Sequence, residues 1–139
     1  MVEIRPAREA DKPALYRLAA GLATSFELER PAFSASFDSL HQDEGCLVAI
    51  AETSGKVHGY VMAFVHPTFF ANGPVCWVEE LMVAEDHRAT GIGRALMERV
   101  EAWATSRDAR LVALATRRAA PFYRALRYED SATYFRKSP

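Results

Sequence analysis

The spacing of apolar and polar residues along the chain predicts four helices and six strands. Apolar residues at positions i, i+3 and i+4 are typical of half-buried helices, and short runs rich in β-branched and apolar residues are typical of strands. Helices are predicted to begin after Asp11, near Pro31, near Ile92 and near Ala119. Strands are predicted at residues 2–4, 46–52, 57–65, 75–83, 111–115 and 131–136. The order β-α-α-β-β-β-α-β-α-β indicates an α+β fold with a mixed sheet.

Several of these elements carry local signals for how they begin or pack. Asp11 can cap the first helix, and Pro13 lies in the first turn of that helix, where a missing N–H group has no consequence. Residues 53–56, Thr-Ser-Gly-Lys, favour a turn, so the strands on either side should form an antiparallel hairpin at the centre of the sheet. The continuously apolar residues 111–115 predict a strand buried on both faces, and residues 131–136 should close the sheet.

Residues 77–103 are the most informative stretch: a strand, a polar connection, two glycines and an amphipathic helix. Gly91 and Gly93 have no Cβ, so the backbone can approach a ligand closely at the start of this helix. The N–H groups of a first helical turn have no intrahelical acceptor, and the helix dipole favours an anion there. Arg88 and Arg94 flank the same turn and can pair with phosphate oxygens. The stretch therefore predicts a pyrophosphate-binding site.

Two common phosphate-binding motifs do not fit this stretch. A Walker A loop requires G-x-x-x-x-G-K-[ST], and a dinucleotide-binding loop requires a third glycine where Leu96 stands. The residues instead match the pattern V-x-x-x-x-[QR]-x-x-G-x-[GA], at Val83, Arg88, Gly91 and Gly93. The chain thus resembles the GNAT superfamily of acyl-CoA-dependent N-acetyltransferases.

A second motif of that family occurs near the end of the chain. The pattern A-x-x-[FL]-Y-x-x-x-G-[FY] is matched at Ala119, Phe122, Tyr123 and Tyr128. Two residues depart from the family. Thr116 stands where an asparagine that contacts the cofactor is frequent, which puts one cofactor hydrogen bond in doubt. Arg127 replaces the glycine, so this turn must either avoid a left-handed backbone or tolerate strain.

The resemblance implies a fold and a cofactor site. The fold would be a single domain over residues 1–139, with a mixed, mainly antiparallel central sheet of six to seven strands and about four helices. Two strands would splay apart, and the pantetheine arm of acetyl-CoA would lie in the gap. The residues implied to bind coenzyme A are Leu81, Met82, Val83, Arg88, Ala89, Thr90, Gly91, Ile92, Gly93, Arg94, Thr116 and Phe122.

The reaction implied by the resemblance is direct attack of an amine on the acetyl thioester. An alkyl amine with a pKa near 10.4 is neutral at pH 7 only about one part in 10³, so a carboxylate that removes its proton would help. Glu79 and Glu80 lie on the strand beside the thioester, and strand alternation sends them to opposite faces unless the strand bulges. Glu80 is the favoured catalytic base. Tyr123 is the candidate hydrogen-bond donor to the departing thiolate.

The acceptor is less specified than the cofactor. Residues 26–38 are aromatic and acidic, which fits either a pocket for a cationic amine or core aromatics beside a solvated face. The candidate substrate-binding residues are Phe26, Glu29, Phe33, Glu79 and Tyr134. The compact length and the S-A-x-Y-F-R-K ending are similar to aminoalkylphosphonate and polyamine acetyltransferases. A small-molecule N-acetyltransferase is the first hypothesis; a protein or peptide N-acetyltransferase and a non-catalytic acyl-CoA-binding regulatory module are the alternatives.

Composition limits the possible partners and location. The net charge of −1 gives no basis for binding nucleic acid or an anionic membrane. Cys46 and Cys76 lie in apolar segments and are expected to be free thiols, and the histidines show no metal-ligand spacing. The charged amino terminus predicts no signal peptide, no apolar run is long enough to span a bilayer, and a cytoplasmic location is expected. Homodimers are common among similar proteins, and one is expected here.

Overall fold

The computed structural model describes residues 1–139 and contains five strands and four α-helices. The strands are β1 Glu3–Pro6, β2 Cys46–Thr53, β3 Lys56–Pro67, β4 Pro74–Val83 and β5 Val112–Leu114. The helices are α1 Lys12–Leu22, α2 Arg30–Gln42, α3 Ile92–Ser106 and α4 Ala120–Ala125, and short 3₁₀ turns cover Glu9–Asp11 and Glu85–His87. None of these helices combines the length and the apolar character needed to cross a membrane.

The five strands form one sheet in the order β1-β2-β3-β4-β5, with β3 at its centre. All neighbours are antiparallel except β4 and β5, which are parallel. The predicted hairpin is β2–β3, which turns at Ser54 and Gly55. The prediction of a mixed, mainly antiparallel sheet in an α+β fold is confirmed.

The sheet has a buried core on each face. One core contains the inward face of α3 and includes Leu96, Met97 and Val100, all inaccessible to solvent. The other lies under α1 and α2 and includes Leu15 and Phe37. Period-two alternation along β2 and β3 supplies side chains to both cores, because successive residues point to opposite faces.

The prediction of six to seven strands is wrong, because residues 131–136 form no strand. Phe135 is 86% exposed, and the segment is held to the rest of the chain by one hydrogen bond, from the Arg136 guanidinium to Ser25 Oγ at 3.1 Å. Residues 111–115 were expected to be buried on both faces. Instead β5 is a half-buried strand of three residues at the edge of the sheet, which offers a sixth strand few ladder groups.

The expected cap at Asp11 is also replaced by a different contact. Its carboxylate makes no cap hydrogen bond to α1. It accepts two hydrogen bonds from the Arg5 guanidinium, at 2.8 and 2.9 Å, and one from the Arg8 N–H at 2.7 Å. The hydrogen bonds from Arg5 hold the pKa of Asp11 below its usual value. Asp11 therefore ties the start of α1 to β1, which a local capping rule does not detect.

Arg127 resolves the choice that the sequence left open at the end of α4. Its φ is 72°, so it adopts the left-handed conformation in which glycine is usual. The Arg127 N–H donates to the Arg124 carbonyl at 2.9 Å, and the Tyr128 N–H donates to the Tyr123 carbonyl at 3.0 Å. These two bonds form a Schellman motif, so the chain makes the turn that the motif implies, at the cost of backbone strain at Arg127.

Candidate active site

A β-bulge in β4 shapes the whole candidate site. In the ladder with β3, Glu80 pairs with Met62 and Val78 pairs with Ala63, so Glu79 has no partner. One extra residue in a strand reverses the facing of every later side chain. The bulge is the exception to alternation that the sequence analysis allowed for.

The reversal determines where Glu80 lies. Cys76 and Val78, before the bulge, pack in the core beneath α3, and Leu81 packs there after it. Strict alternation from Val78 would have placed Glu80 in that same core. Because of the extra residue at Glu79, Glu80 instead faces α1 and α2, while Glu79 is exposed.

The same point on β4 is where β4 and β5 separate. β5 pairs with β4 only along Cys76–Val78, so β4 has no neighbour on this side beyond the bulge. The Ala84 N–H donates to the His58 carbonyl of β3 at 2.7 Å. Since main-chain groups alternate along a strand, those of Met82 point toward β3 and those of Leu81 and Val83 point into the gap. Of the three predicted strand residues, Leu81 thus offers free main-chain groups to a ligand and Val83 offers a free N–H group.

The connection from β4 to α3 presents a run of free N–H donors. No N–H group from residue 89 to residue 94 has an acceptor within the chain. The Thr90 hydroxyl donates to the His87 carbonyl, which helps to hold the loop in shape, and Ala89 adopts a left-handed φ of 61°. Arg88 is exposed, and its Nε donates to the Val83 carbonyl at 3.3 Å, beside the gap. Free N–H groups, a helix amino terminus and nearby arginines are the groups that bind anions in proteins.

Glycine is needed at two positions of this loop, for a different structural reason at each. Gly91 has a φ of 90°, whereas a Cβ there would meet no atom within 4 Å, so the backbone conformation and not crowding within the chain favours glycine. A Cβ at Gly93 would lie 3.0 Å from Cζ of Phe122. Gly93 therefore allows the Phe122 ring to pack on the first turn of α3, a reason that the motif alone did not indicate. Nearby, Thr116 Oγ1 accepts a hydrogen bond from the Ala119 N–H at 3.1 Å and orders the start of α4.

Tyr123 has a hydroxyl that is free to act. The residue is only 9% exposed, and its ring packs edge-on against Phe122 and Tyr128, at centroid distances of 4.9 and 6.0 Å. The Tyr128 hydroxyl donates to Glu101 at 2.7 Å, whereas the Tyr123 hydroxyl makes no hydrogen bond within the chain. No fully buried side-chain polar atom lacks a partner, so the Tyr123 hydroxyl reaches the accessible surface. Burial raises its pKa, which keeps the phenol protonated as a donor.

A cavity of about 480 Å³ lies between α1, α2 and the sheet. Four of the predicted site residues line it: Phe26, Glu29, Phe33 and Glu80. Glu79 and Tyr134 were predicted to bind the substrate as well, but neither is part of the lining. The structure thus brings the aromatic and acidic residues of the α1–α2 region together with the carboxylate on β4.

Tyr60, which no sequence motif predicted as a site residue, holds Glu80 in place. The Tyr60 hydroxyl donates to Glu80 Oε1 at 2.6 Å, and Tyr60 is only 2% exposed. Burial and the Glu80 charge raise the pKa of Tyr60 well above its usual value, so the phenol stays a donor. Tyr60 is 20 positions from Glu80 in the sequence, and only the bulged strand pairing brings the two together. No local pattern signals this contact.

These features define a class of protein. A glycine loop with free N–H donors opens beside a gap between two strands, and a carboxylate-bearing cavity lies at the bulge where that gap begins. This is the arrangement of an acyl-CoA-dependent transferase. Residues 12–128 match the model of the acetyltransferase (GNAT) family. The chain belongs to this family of N-acetyltransferases, which use acetyl-CoA.

Solved structures share the whole fold at low sequence identity. A transcriptional regulator from Bacillus halodurans C-125 superposes with a TM-score of 0.89 at 21% identity, covering 99% of both chains. Glucosamine-6-phosphate N-acetyltransferase from Arabidopsis thaliana gives 0.88 at 17% identity, covering 99% of this chain and 98% of the other. AAC(6')-Iy, bound to a bisubstrate analogue of CoA and acetylneamine, gives 0.83 at 21% identity, covering 100% and 99%. No curated protein sequence matches the chain.

Proposed function

We propose that the protein acetylates a primary amine of a small molecule by direct attack of the amine on acetyl-CoA. The observation that carries this proposal is the position of Glu80. Its carboxylate lines a cavity of about 480 Å³, a volume within the range of small-molecule sites. Glu80 also lies on β4, whose edge away from β3 has no strand partner beyond the bulge and is available to the cofactor. Amine and thioester would therefore meet at the bulge in β4.

Coenzyme A would be held mainly by the main chain. The pyrophosphate would accept hydrogen bonds from the N–H groups of residues 89–94, with Arg88 and Arg94 beside it. The amides of the pantetheine arm would pair with the main-chain groups of Leu81 and the N–H group of Val83. Phe122 and Thr116 would border the cofactor from the side of α4. Acetyl-CoA supplies the activated acetyl group.

Glu80 would act as the base, directly or through one water. The ammonium of the acceptor must lose a proton before its nitrogen can attack, and the carboxylate receives that proton. The hydrogen bond from Tyr60 fixes the carboxylate while leaving its second oxygen free for the amine. The nitrogen then forms the new bond to the acetyl carbonyl carbon, and the carbon–sulfur bond breaks as the thiolate leaves. The second proton of the nitrogen passes, directly or through water, to that thiolate, which leaves the neutral amide and the free thiol.

Tyr123 would donate a hydrogen bond to that departing thiolate. A phenol is a weaker acid than a thiol by about 1.5 pKa units, so full transfer of the proton is unfavourable. Loss of the hydroxyl should therefore slow turnover without abolishing it. Phe26, Glu29 and Phe33 would contact the acceptor. Glu79 and Tyr134 lie outside the cavity lining and have no part in this proposal.

A thiol-release assay with acetyl-CoA tests the proposal across small amines, aminophosphonates and lysine-containing peptides. We expect release of the CoA thiol with small amines. Release with peptides alone would instead identify a protein acetyltransferase. A Tyr123→Phe variant separates an enzyme from an acyl-CoA-binding regulator, because turnover should fall while CoA affinity, measured by calorimetry, stays constant.

We also propose a homodimer. The outer edge of β5 has no strand partner, and Phe135 is exposed, so a second copy would cover both. Sedimentation equilibrium gives the mass: about twice 15.5 kDa is expected, and a monomer at all concentrations would contradict the dimer.

A further inference from the structure

We infer that the acceptor amine carries an apolar alkyl or aryl group, an inference that rests on the proposed function and narrows its substrate class. Of the 17 residues that line the cavity, 13 are hydrophobic. The other four are Glu27, Glu29, Ser36 and Glu80. The lining therefore contains three carboxylates and two hydroxyls, those of Ser36 and Tyr60, and no arginine, lysine, histidine, asparagine or glutamine.

This set of side chains discriminates among amines by their charge. Glu27 and Glu29 are exposed and make no ion pair, so their charges are available to a cation from solvent. An ammonium group is attracted by all three carboxylates. An aminophosphonate or an amino acid would bring an anionic group to a site that offers no cation to pair with it. The cavity thus favours an amine without an anionic substituent.

The apolar walls of the cavity discriminate among acceptors by the polarity of the group that is attached to the amino group. Phe33 and Phe37 of α2 and Leu15 of α1 face the cavity, and small side chains at Ala19 and Ala32 leave its space open. A sugar would place hydroxyl groups against these walls without partners, which is unfavourable. A polyamine would find Glu27 and Glu29 only at the exposed part of the lining, and an ammonium group among the apolar side chains would have no partner. An alkyl chain or an aromatic ring would instead bury apolar surface. The amino group would lie at Glu80, with the apolar group between the two helices.

The expected substrate class is tested by a homologous series of n-alkylamines, from propylamine to hexylamine. The amino group has nearly the same basicity throughout this series, so the chemical step stays constant while the buried chain grows. Each methylene should raise kcat/KM about threefold to fourfold, the factor that corresponds to roughly 0.8 kcal/mol per buried CH₂. Hexylamine should then exceed 2-aminoethylphosphonate and glucosamine by at least two orders of magnitude, and spermidine by at least tenfold.

A matched pair of variants locates the effect in the cavity. Ser36→Phe fills the cavity from α2, and Ser39→Phe places the same side chain on the same helix outside the lining. We expect Ser36→Phe to flatten the dependence of kcat/KM on chain length and to lower the value for hexylamine at least tenfold. Ser39→Phe should leave both unchanged. CoA affinity, measured by calorimetry, reports that each variant is folded.

The outcomes separate this inference from the proposed function. Thiol release that is flat along the series, or fastest with spermidine, aminophosphonate or a peptide, overturns the apolar acceptor while acetyl transfer stands. A dependence of kcat/KM on chain length that is the same in the Ser36→Phe variant also overturns the apolar acceptor. Thermal stabilisation by hexylamine without thiol release from any amine overturns the proposed function and supports the cavity assignment. If no amine gives either thermal stabilisation or thiol release, the apolar acceptor and the proposed function are both overturned.

Discussion

Replacing Glu80 by glutamine isolates the charge that the proposed mechanism needs. Glutamine has the same shape as glutamate, and its carbonyl oxygen can still accept the hydrogen bond that Tyr60 donates at 2.6 Å. The packing around the cavity should therefore be retained. What the variant loses is the negative charge and the ability to accept a proton.

The magnitude follows from the protonation of the acceptor. An alkyl amine with a pKa near 10.4 is neutral at pH 7 about one part in 10³, and a positioned general base contributes about 10²–10⁴ in rate. Glu80→Gln should lower kcat/KM at pH 7 by that factor, or roughly 3–5 kcal/mol in activation free energy. At pH 9.5 the neutral fraction of the amine is about 300-fold larger than at pH 7. The variant should recover much of its deficit there, because it depends on amine that is already neutral.

The assay is thiol release from acetyl-CoA with hexylamine, measured at both pH values. Glu79→Gln is the matched control, because it makes the same chemical change at the adjacent, exposed position on the bulge. Glu79→Gln should retain activity within about twofold. The account of Glu80 is refuted if Glu80→Gln keeps full activity, or if the two variants lose activity equally while urea unfolding shows both to be folded.

Three further predictions concern the backbone and pH. Gly91→Ala should lower stability by about 1–2 kcal/mol, because its φ is 90°, and should weaken CoA binding; urea unfolding and calorimetry measure these effects. Arg127→Gly should raise stability by about 1 kcal/mol, or roughly 3 °C in Tm by calorimetric scanning, because it relieves a left-handed φ of 72°. Burial and the charge of His87, whose ring stacks on His58, lower the pKa of His58 in the folded protein. Below the ordinary pKa of histidine, the unfolded chain therefore binds more protons at His58 than the folded chain does. Stability should therefore fall as pH drops below about 6.5, and His58→Gln should reduce this slope in urea unfolding.

Local backbone chemistry accounts for the part of the site that the sequence predicted well. A strand, a glycine loop and an amphipathic helix are each determined by neighbouring residues, so the start of α3 at Ile92 and the free N–H groups before it were predictable. Non-local contacts account for the errors. The Asp11 carboxylate pairs with Arg5 of β1 and does not cap its own helix, and residues 131–136 lack a strand long enough to pair with.

The choice between Glu79 and Glu80 shows where sequence reasoning stops. Alternation alone allows either residue to face the cavity, and a one-residue bulge decides between them. The bulge is a property of the pairing between β3 and β4, in which Met62 lies opposite Glu80 and Ala63 lies opposite Val78. Family resemblance favoured Glu80, but only the register gives the physical reason. The same register explains why Tyr60, which no motif indicated, contacts Glu80.

The central claim is that the bulge in β4 brings the cofactor gap and the acceptor cavity together at Glu80. The most direct test is a crystal structure with a bisubstrate analogue in which CoA is joined through an acetyl linker to hexylamine. The account predicts pyrophosphate oxygens within hydrogen-bonding distance of the N–H groups of residues 89–94. It also predicts the amide nitrogen within one water of the Glu80 carboxylate and the hexyl chain inside the cavity. A hexyl chain outside the cavity, or an amide nitrogen closer to Glu79 than to Glu80, would contradict it.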